Sequence, residues 1–162
     1  MICAILILII QKGVAFLMSV LRKINASDAE LVSSRMNLSI EEAKSLIDEW
    51  NTGRFNGNYF EMFAVSINNT VVGLFSIYEH SKSIVSIGPE IFEEYRQNGF
   101  AKKAMAEIMR IAKEKKYSII LQQVRTDNIA SIRFHESLGF EKDNSIYKNR
   151  KGNDIFLYLK TI

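Results

Sequence analysis

Between residues 83 and 124 the spacing of apolar side chains changes twice. Residues 83–92 read as a strand. Residues 99–115 then place Ala101, Ala104, Met105, Ile108, Met109, Ile111 and Ala112 at the three-to-four spacing of one helix face, and residues 118–124 return to a strand run. A strand, a helix of that length and a second strand join compactly as a right-handed crossover between parallel strands. The remainder of the chain must therefore be built around a sheet that contains a parallel pair. Gly88 and Pro89 fall inside the first of these strands. Proline cannot donate to a ladder, so a bulge or local splaying is expected there.

The flanking segments fit a mixed sheet. Residues 20–24 form a short strand, and Ser27 with Glu30 has the spacing of a helix-starting capping box. Ser39 and Glu42 repeat that spacing ahead of Ile40, Ala43, Leu46, Ile47 and Trp50, the apolar face of a second helix. Residues 53–58 read as a loop, and residues 60–67 and 71–78 as a hairpin across Asn68-Asn69-Thr70. A short helix over residues 128–137 closes at Gly139, and residues 140–148 and 155–160 form a terminal hairpin across Lys151-Gly152-Asn153. The expected fold class is α/β (a mixed α+β sheet) in the order β-α-α-β-β-β-α-β-α-β-β.

The chain has 162 residues, one domain's worth, and no repeat or linker divides it. One domain over residues 18–162 is expected. Residues 1–17 read as an apolar extension, non-native or translated from upstream. That stretch is short of the roughly 20 apolar residues a membrane helix needs and is interrupted by Lys12, so no membrane association is expected. A net charge of +3, without a stripe of Lys and Arg interleaved with aromatics, argues against a nucleic-acid partner. A single cysteine and two histidines can build neither a disulfide framework nor a zinc cluster, so no metal and a reducing, cytoplasmic setting are expected.

Chemistry concentrates at Tyr95-Arg96-Gln97-Asn98-Gly99-Phe100-Ala101-Lys102-Lys103, the turn that opens the strongest helix. Unpaired amides and the positive dipole end make a helix start an anion site. Gly99 and small Ala101 permit close backbone approach. Lys102 and Lys103 stand at the end of the helix where cations are disfavoured, which is sensible if a phosphate sits there. A turn with solvated lysines explains the same residues equally well.

A second motif follows one helix and one strand later. R-x-x-G-x-A at Arg96–Ala101, then N-x-x-S at Asn128–Ser131, then Glu136-Ser137-Leu138-Gly139-Phe140, resembles the GNAT superfamily of acetyl-CoA-dependent N-acetyltransferases. The branch most resembled contains the ribosomal-protein N-terminal acetyltransferases. The likeness runs from about Val20 to the C-terminus. It implies that amides of Gln97, Asn98, Gly99, Phe100, Ala101 and Lys102 hold the CoA pyrophosphate, with Arg96 close by. It also implies that the two central parallel strands splay, so that the pantetheine arm lies along Ile91, Phe92 and Glu93, with Asn128 and Ser131 opposite.

The implied reaction is direct attack of a primary amine, on a small molecule or a protein N-terminus, on the thioester of acetyl-CoA in a ternary complex. It needs a proton acceptor for the amine, donors for the oxyanion and a route out for the thiolate. Backbone N–H groups near Ile91 or Phe92 are candidate donors. Many superfamily members place a tyrosine acid where this chain has His135, so His135 reads either as the acid or as a packing residue. Glu90 is the best-placed carboxylate for the base, in competition with Glu79, Glu93 and water. A homodimer is compatible with this reading, and the alternative function is a non-catalytic CoA-binding sensor or interaction module.

Overall fold

The computed structural model describes residues 19–162, and the apolar segment expected to precede the domain lies outside them. The described residues form nine strands and four α-helices in a single mixed sheet. Strand β1 (Ser19–Lys23) leads to α1 (Ala29–Met36) and α2 (Ile40–Asn51). Then come β2 (Arg54–Phe55), β3 (Asn58–Ile67), β4 (Thr70–Ser81) and β5 (Ile84–Ile91). Helix α3 (Phe100–Glu114) connects β5 to β6 (Ile119–Arg125), and α4 (Ile129–Ser137) precedes β7 (Glu141–Lys142), β8 (Tyr147–Lys148) and β9 (Asp154–Thr161). The sheet order is β1-β3-β4-β5-β6-β9-β7, with β2 on β3 and β8 on β9. Among the described residues, only β5 and β6 pair in parallel.

Two apolar layers sandwich the sheet. On one face Ala43, Ile47 and Trp50 of α2 and Val32 of α1 pack with Ala64, Leu74 and Phe92. On the other, Ala104, Met105, Ile108 and Ala112 of α3 cover Phe75, Ile77, Val85 and Ile87. The helical stripe read from the sequence is thus the buried face of α3. The Ser39–Glu42 capping box is present, with the Ser39 hydroxyl accepting from the Glu42 N–H at 3.2 Å and the Glu42 carboxylate from the Ser39 N–H at 2.7 Å.

Four local expectations change. The first helix is not started by Ser27 and Glu30. A single helical turn at Ala26–Asp28 precedes it, with Asn25 accepting from the Ser27 N–H and Asp28 from the Asn25 N–H, both at 2.9 Å. Asp28 also takes a bidentate pair from Arg22 at 2.7 and 2.8 Å, a long-range partner no local pattern reveals. The expected loop at 53–58 is a miniature hairpin, because Asn56 and Gly57 adopt φ of 51° and 83° and so make the turn that matches strand twist. Strand 140–148 is broken into β7 and β8, which pair separately with β9. Pro89 causes no bulge on its β4 side, where it stands in register with Phe75; the irregularity lies between Glu79 and Ser81 instead.

Candidate active site

The two edges of β5 are unlike. Along β4 it pairs from Ile84 to Ile91, whereas along β6 only Ile84 and Val85 have partners, Ile119 and Ile120. The Phe92 N–H donates to the Val72 carbonyl at 2.9 Å. Backbone groups alternate sides along a ladder, so those of Ser86, Gly88 and Glu90 face β4, and those of Ile87, Pro89 and Ile91 face the gap that β6 leaves. The Ile91 carbonyl, on the gap side, accepts from Arg96 Nε at 3.0 Å. Pro89 therefore stands where no ladder bond is lost, and this is why a proline survives in the middle of a sheet.

A groove begins at that open edge. One cavity of about 350 Å³ is bounded by Pro89, Glu90 and Ile91, by Ala101 at the start of α3, and by Asn128, Ala130, Ser131 and Phe134 of the α4 end. A second, of about 240 Å³, shares Ile91, Arg96, Ala101 and Phe134 with it and runs on beneath Gln97, Gly99, Phe100 and Lys102. Gln97 and Gly99 take φ of 64° and 76°, folding the chain sharply into α3. The Asn98 amide turns back onto the carbonyls of Tyr95 at 3.2 Å and Arg96 at 2.9 Å.

No side chain caps α3, whereas α2 is capped by Ser39 and α4 by Asn128, which accepts from the Ser131 N–H at 3.0 Å. The first-turn amides and positive dipole end of α3 are thus presented to the groove, with Lys102 alongside.

Where β5 and β6 part, a third cavity of about 320 Å³ is lined by Ser76, His80, Ser86, Ile87, Gly88 and the stretch Leu121-Gln122-Gln123. His80 and Gln123 also line an outer cleft of about 600 Å³, with Phe55, Tyr78, Asn149 and Arg150 among its walls. His80 and Gln123 line both the third cavity and the cleft, so the two adjoin.

Two buried polar groups on the α3–α4 side have nitrogens without partners. Gln122 is 5% exposed and His135 2%, and Nε2 of each lacks a hydrogen-bond partner among the described residues. His135 Nδ1 donates to the Ser131 carbonyl at 2.8 Å, which makes Nε2 the unprotonated nitrogen. Burial pushes the His135 pKa below its ordinary value, outweighing the pull of the Ser131 carbonyl in the other direction. Its ring stands edge-on to Phe134 and Phe140 at 5.3 and 5.2 Å and tilted against Tyr158 at 5.8 Å. His80 also has a lowered pKa, through partial burial of its ring, which meets Tyr78 edge-on at 5.2 Å.

Of the residues expected from the sequence, Ile91, Arg96, Gln97, Gly99, Phe100, Ala101, Lys102, Asn128 and Ser131 line the groove, and Glu90 lies exposed at its edge. Phe92 does not reach it. Its N–H is held by Val72, its carbonyl accepts from the Tyr95 N–H, and its ring lies in the α1–α2 layer, with the Arg35 guanidinium 3.8 Å from the ring centre. Phe92 is thereby removed as an oxyanion donor. Glu93 opens a single helical turn with its side chain exposed, outside the walls of both groove cavities.

Glu79 is occupied by the Tyr117 hydroxyl at 2.5 Å. Tyr158 is buried and donates to Glu136 at 3.2 Å, and Tyr147 donates to Asp143 at 2.6 Å. Gln122, Gln123 and His80 were not singled out by the sequence reading. The visible signal was a glutamine pair inside the otherwise apolar strand Ile119-Ile120-Leu121-Gln122-Gln123-Val124.

Comparison with known proteins adds family to geometry. The acetyltransferase (GNAT) domain model matches residues 19–141. An uncharacterized SPbeta prophage-derived N-acetyltransferase of Bacillus subtilis (strain 168), YokL, is 28% identical over 124 residues, covering 75% of this chain and 70% of the relative. Among solved structures, the Salmonella typhimurium acetyltransferase that modifies the N-terminal serine of ribosomal protein L7/L12 superimposes with a TM-score of 0.72. It is 17% identical, over 88% of this chain and 94% of that one. RimJ of Mycobacterium smegmatis, solved in complex with CoA-disulfide, gives a TM-score of 0.75 at 17% identity, over 87% of this chain and 80% of that one. At these identities the structures establish the shared fold. Among the described residues, no helix is long and apolar enough to cross a membrane.

Proposed function

Because the chain belongs to the GNAT acetyltransferase family, we propose that it moves the acetyl group of acetyl-CoA to a primary amine, on a small molecule or a protein N-terminus, by direct attack within a ternary complex. The observation that carries this reading is the uncapped start of α3 opening onto a groove at the unpaired edge of β5, where β6 has parted from it. In this assignment the amides of Gln97 to Lys102 hold the pyrophosphate, with the Arg96 guanidinium alongside. The pantetheine arm takes up the edge of β5 at Ile91 in the manner of an added strand. Asn128 and Ser131 face the arm from α4, while the Asn128 carbonyl oxygen keeps its capping bond. The CoA found with the related RimJ supports the same cofactor here.

The acceptor enters from the outer cleft. An alkylammonium has a pKa of roughly 10 and must lose a proton before it can attack. Glu90, exposed at the edge of the groove, takes that proton through water in this reading. A thiol of pKa about 8.5 leaves readily as a thiolate, so the chemistry does not demand an acid at His135. Burial of His135 behind Phe134 and Phe140 supports a packing role for it. The same burial favours the second reading, a CoA-binding module without turnover.

Calorimetric titration with CoA, followed by thiol release from acetyl-CoA across a panel of amines, tests both readings. Binding with turnover supports the transferase, binding without turnover on any amine supports the module, and no binding ends both. Gly99→Val forces a β-branched residue into the left-handed region and points its side chain into the open space before the helix, and it should weaken CoA binding at least about tenfold. Wild-type affinity in that variant would sink the assignment of the turn.

A further inference from the structure

Resting on the transferase reading, the charge of the outer cleft decides what kind of amine it can receive. The cleft, of about 600 Å³, has two ends of different chemistry. At the sheet end, next to the place where β5 and β6 part, the walls are Tyr78, His80 and Gln123. Phe55, 39% exposed, stands edge-on to Tyr78 with ring centres 6.4 Å apart. Aromatic walls of this kind suit the uncharged stem of a ligand. At the other end the walls are Lys148, Asn149, Arg150 and Lys151, and no carboxylate among the described residues lines the cleft.

The turn that carries these cations is tied by its own backbone. The Asn149 side-chain oxygen accepts from the N–H groups of Lys151 at 2.9 Å and Asn153 at 3.0 Å, and the Gly152 N–H donates to the Asn149 carbonyl at 2.9 Å. None of those bonds uses the Arg150 guanidinium or the Lys151 ammonium. Lys148 pairs with Asp154 at 2.6 Å, whereas Arg150 and Lys151 have no carboxylate partner among the described residues. Two such cations lining one cleft repel a third and attract an anion. Lys148 is in register with Asp154 on β9, three residues from Leu157, which is in register with Gln123. Three residues of strand span about 10 Å, so the cationic end stands several bond lengths from the sheet end.

We propose that the acceptor is a primary amine carrying an anionic group, a carboxylate or a phosphate, several bonds from its nitrogen. The amine lies at the His80–Gln123 end and the anion against Arg150 and Lys151. The nitrogen forms its bond to the acetyl carbon, the C–S bond breaks, the thiolate departs, and the ammonium proton passes to water. The anion is unchanged throughout and serves recognition alone. Polyamines, cationic at both ends, are disfavoured by the same charges.

Three acceptors of one length test this: ε-aminocaproate, its carboxamide and hexamethylenediamine. Wild-type protein should acetylate ε-aminocaproate with a kcat/KM about tenfold above the carboxamide and further above the diamine, by a margin that shrinks as salt is raised. Aminohexyl phosphate, and the amidated peptide Ala-Gly-Glu-Glu beside Ala-Gly-Gln-Gln, assign the anion to a phosphate, a small carboxylate or an acidic N-terminal segment. A preference for the anionic member in any series supports the proposal. The Arg150 and Lys151 side chains are exposed, so replacing them spares the core. Arg150→Ala with Lys151→Ala should raise KM for the preferred anionic amine about tenfold while kcat and CoA affinity stay within about twofold. Arg150→Glu with Lys151→Glu should turn the preference toward the diamine. Wild-type protein that acetylates the neutral or dicationic amines as efficiently as the anionic ones overturns the proposal and leaves the transferase reading standing. Failure of wild-type protein to bind CoA overturns both. If CoA binds and no amine turns over, calorimetric titration of the CoA-saturated protein with ε-aminocaproate and with the diamine decides. Tighter binding of the anionic amine, lost in the double alanine variant, supports the proposal, and equal or absent binding overturns it.

Discussion

One strand, β5, shows two ways of treating the same backbone. Toward β4 its groups are paired from Ile84 to Ile91, and the half of the sheet beyond holds its buried carboxylates in satisfied polar contacts, with the Ser66 hydroxyl the one buried group there lacking a partner among the described residues. Asp28 is held by Arg22 and the Asn25 N–H, and Glu61 by Tyr59, Lys23 and Lys115. Toward β6 the pairing stops after Val85, and the buried nitrogens of Gln122 and His135 are left without partners. Pairing secures stability on one side. Its absence on the other leaves donors and acceptors free for a ligand. The difference between the edges is therefore a division between backbone that holds the fold and backbone left open to the groove.

The sharpest way to break that comparison is to exchange the positions of proline. Ser86→Pro removes an N–H directed at β4 and should destabilise the protein by about 3 kcal/mol, comparable to proline in a helix interior. Pro89→Ala restores an N–H directed at the gap and should change stability by at most about 1 kcal/mol, through the unfolded chain. Urea denaturation compares the two, and similar costs would mean that the edges have been assigned wrongly.

A smaller effect is expected at Asp28. Burial alone would raise its carboxyl pKa, but the Arg22 and Asn25 hydrogen bonds and the Arg22 charge together hold it below its ordinary value. Breaking a fully buried pair costs roughly 3–5 kcal/mol, and with Arg22 34% exposed Asp28→Asn should cost about 2 kcal/mol at pH 7. Because the folded pKa is the lower one, this contribution is present above the unfolded pKa and is lost as pH falls through the folded value. The gap between wild type and variant should therefore close below about pH 4. A gap that stays constant into acid would remove the charge pair as its cause.

The smallest effect belongs to the gap side. Gln122→Leu replaces an unpartnered donor by an apolar group of similar size and should leave thermal stability within about 0.5 kcal/mol of wild type, or raise it. A loss of 2 kcal/mol or more would show that Gln122 already serves the fold, as Asp28 does.

Much of this was legible in the residues themselves. The stripe from Ala101 to Ala112 identified α3 and its buried face. Ser39 and Glu42 marked the start of α2. Arg96, Gly99 and Ala101 marked the turn that opens on the groove. Each of these signals is complete within one or two helical turns of chain. Pro89 was legible as a disturbance but not as to which edge it disturbed, because a sequence does not reveal which alternate backbone groups have a neighbour.

The chain alone determined the order of the helices and main strands, the helix faces and the glycine turn ahead of α3, since periodicity and turn chemistry act between residues a few positions apart. Tertiary structure alone decided that β6 parts from β5 after two residue pairs, that Phe92 and His135 turn into packed layers, and that Gln122 is buried with its Nε2 unpartnered. Those outcomes depend on strand register and on the competition of α3 and α4 for one face of the sheet. They are fixed by contacts between residues tens of positions apart, for which no local pattern in the sequence carries a mark.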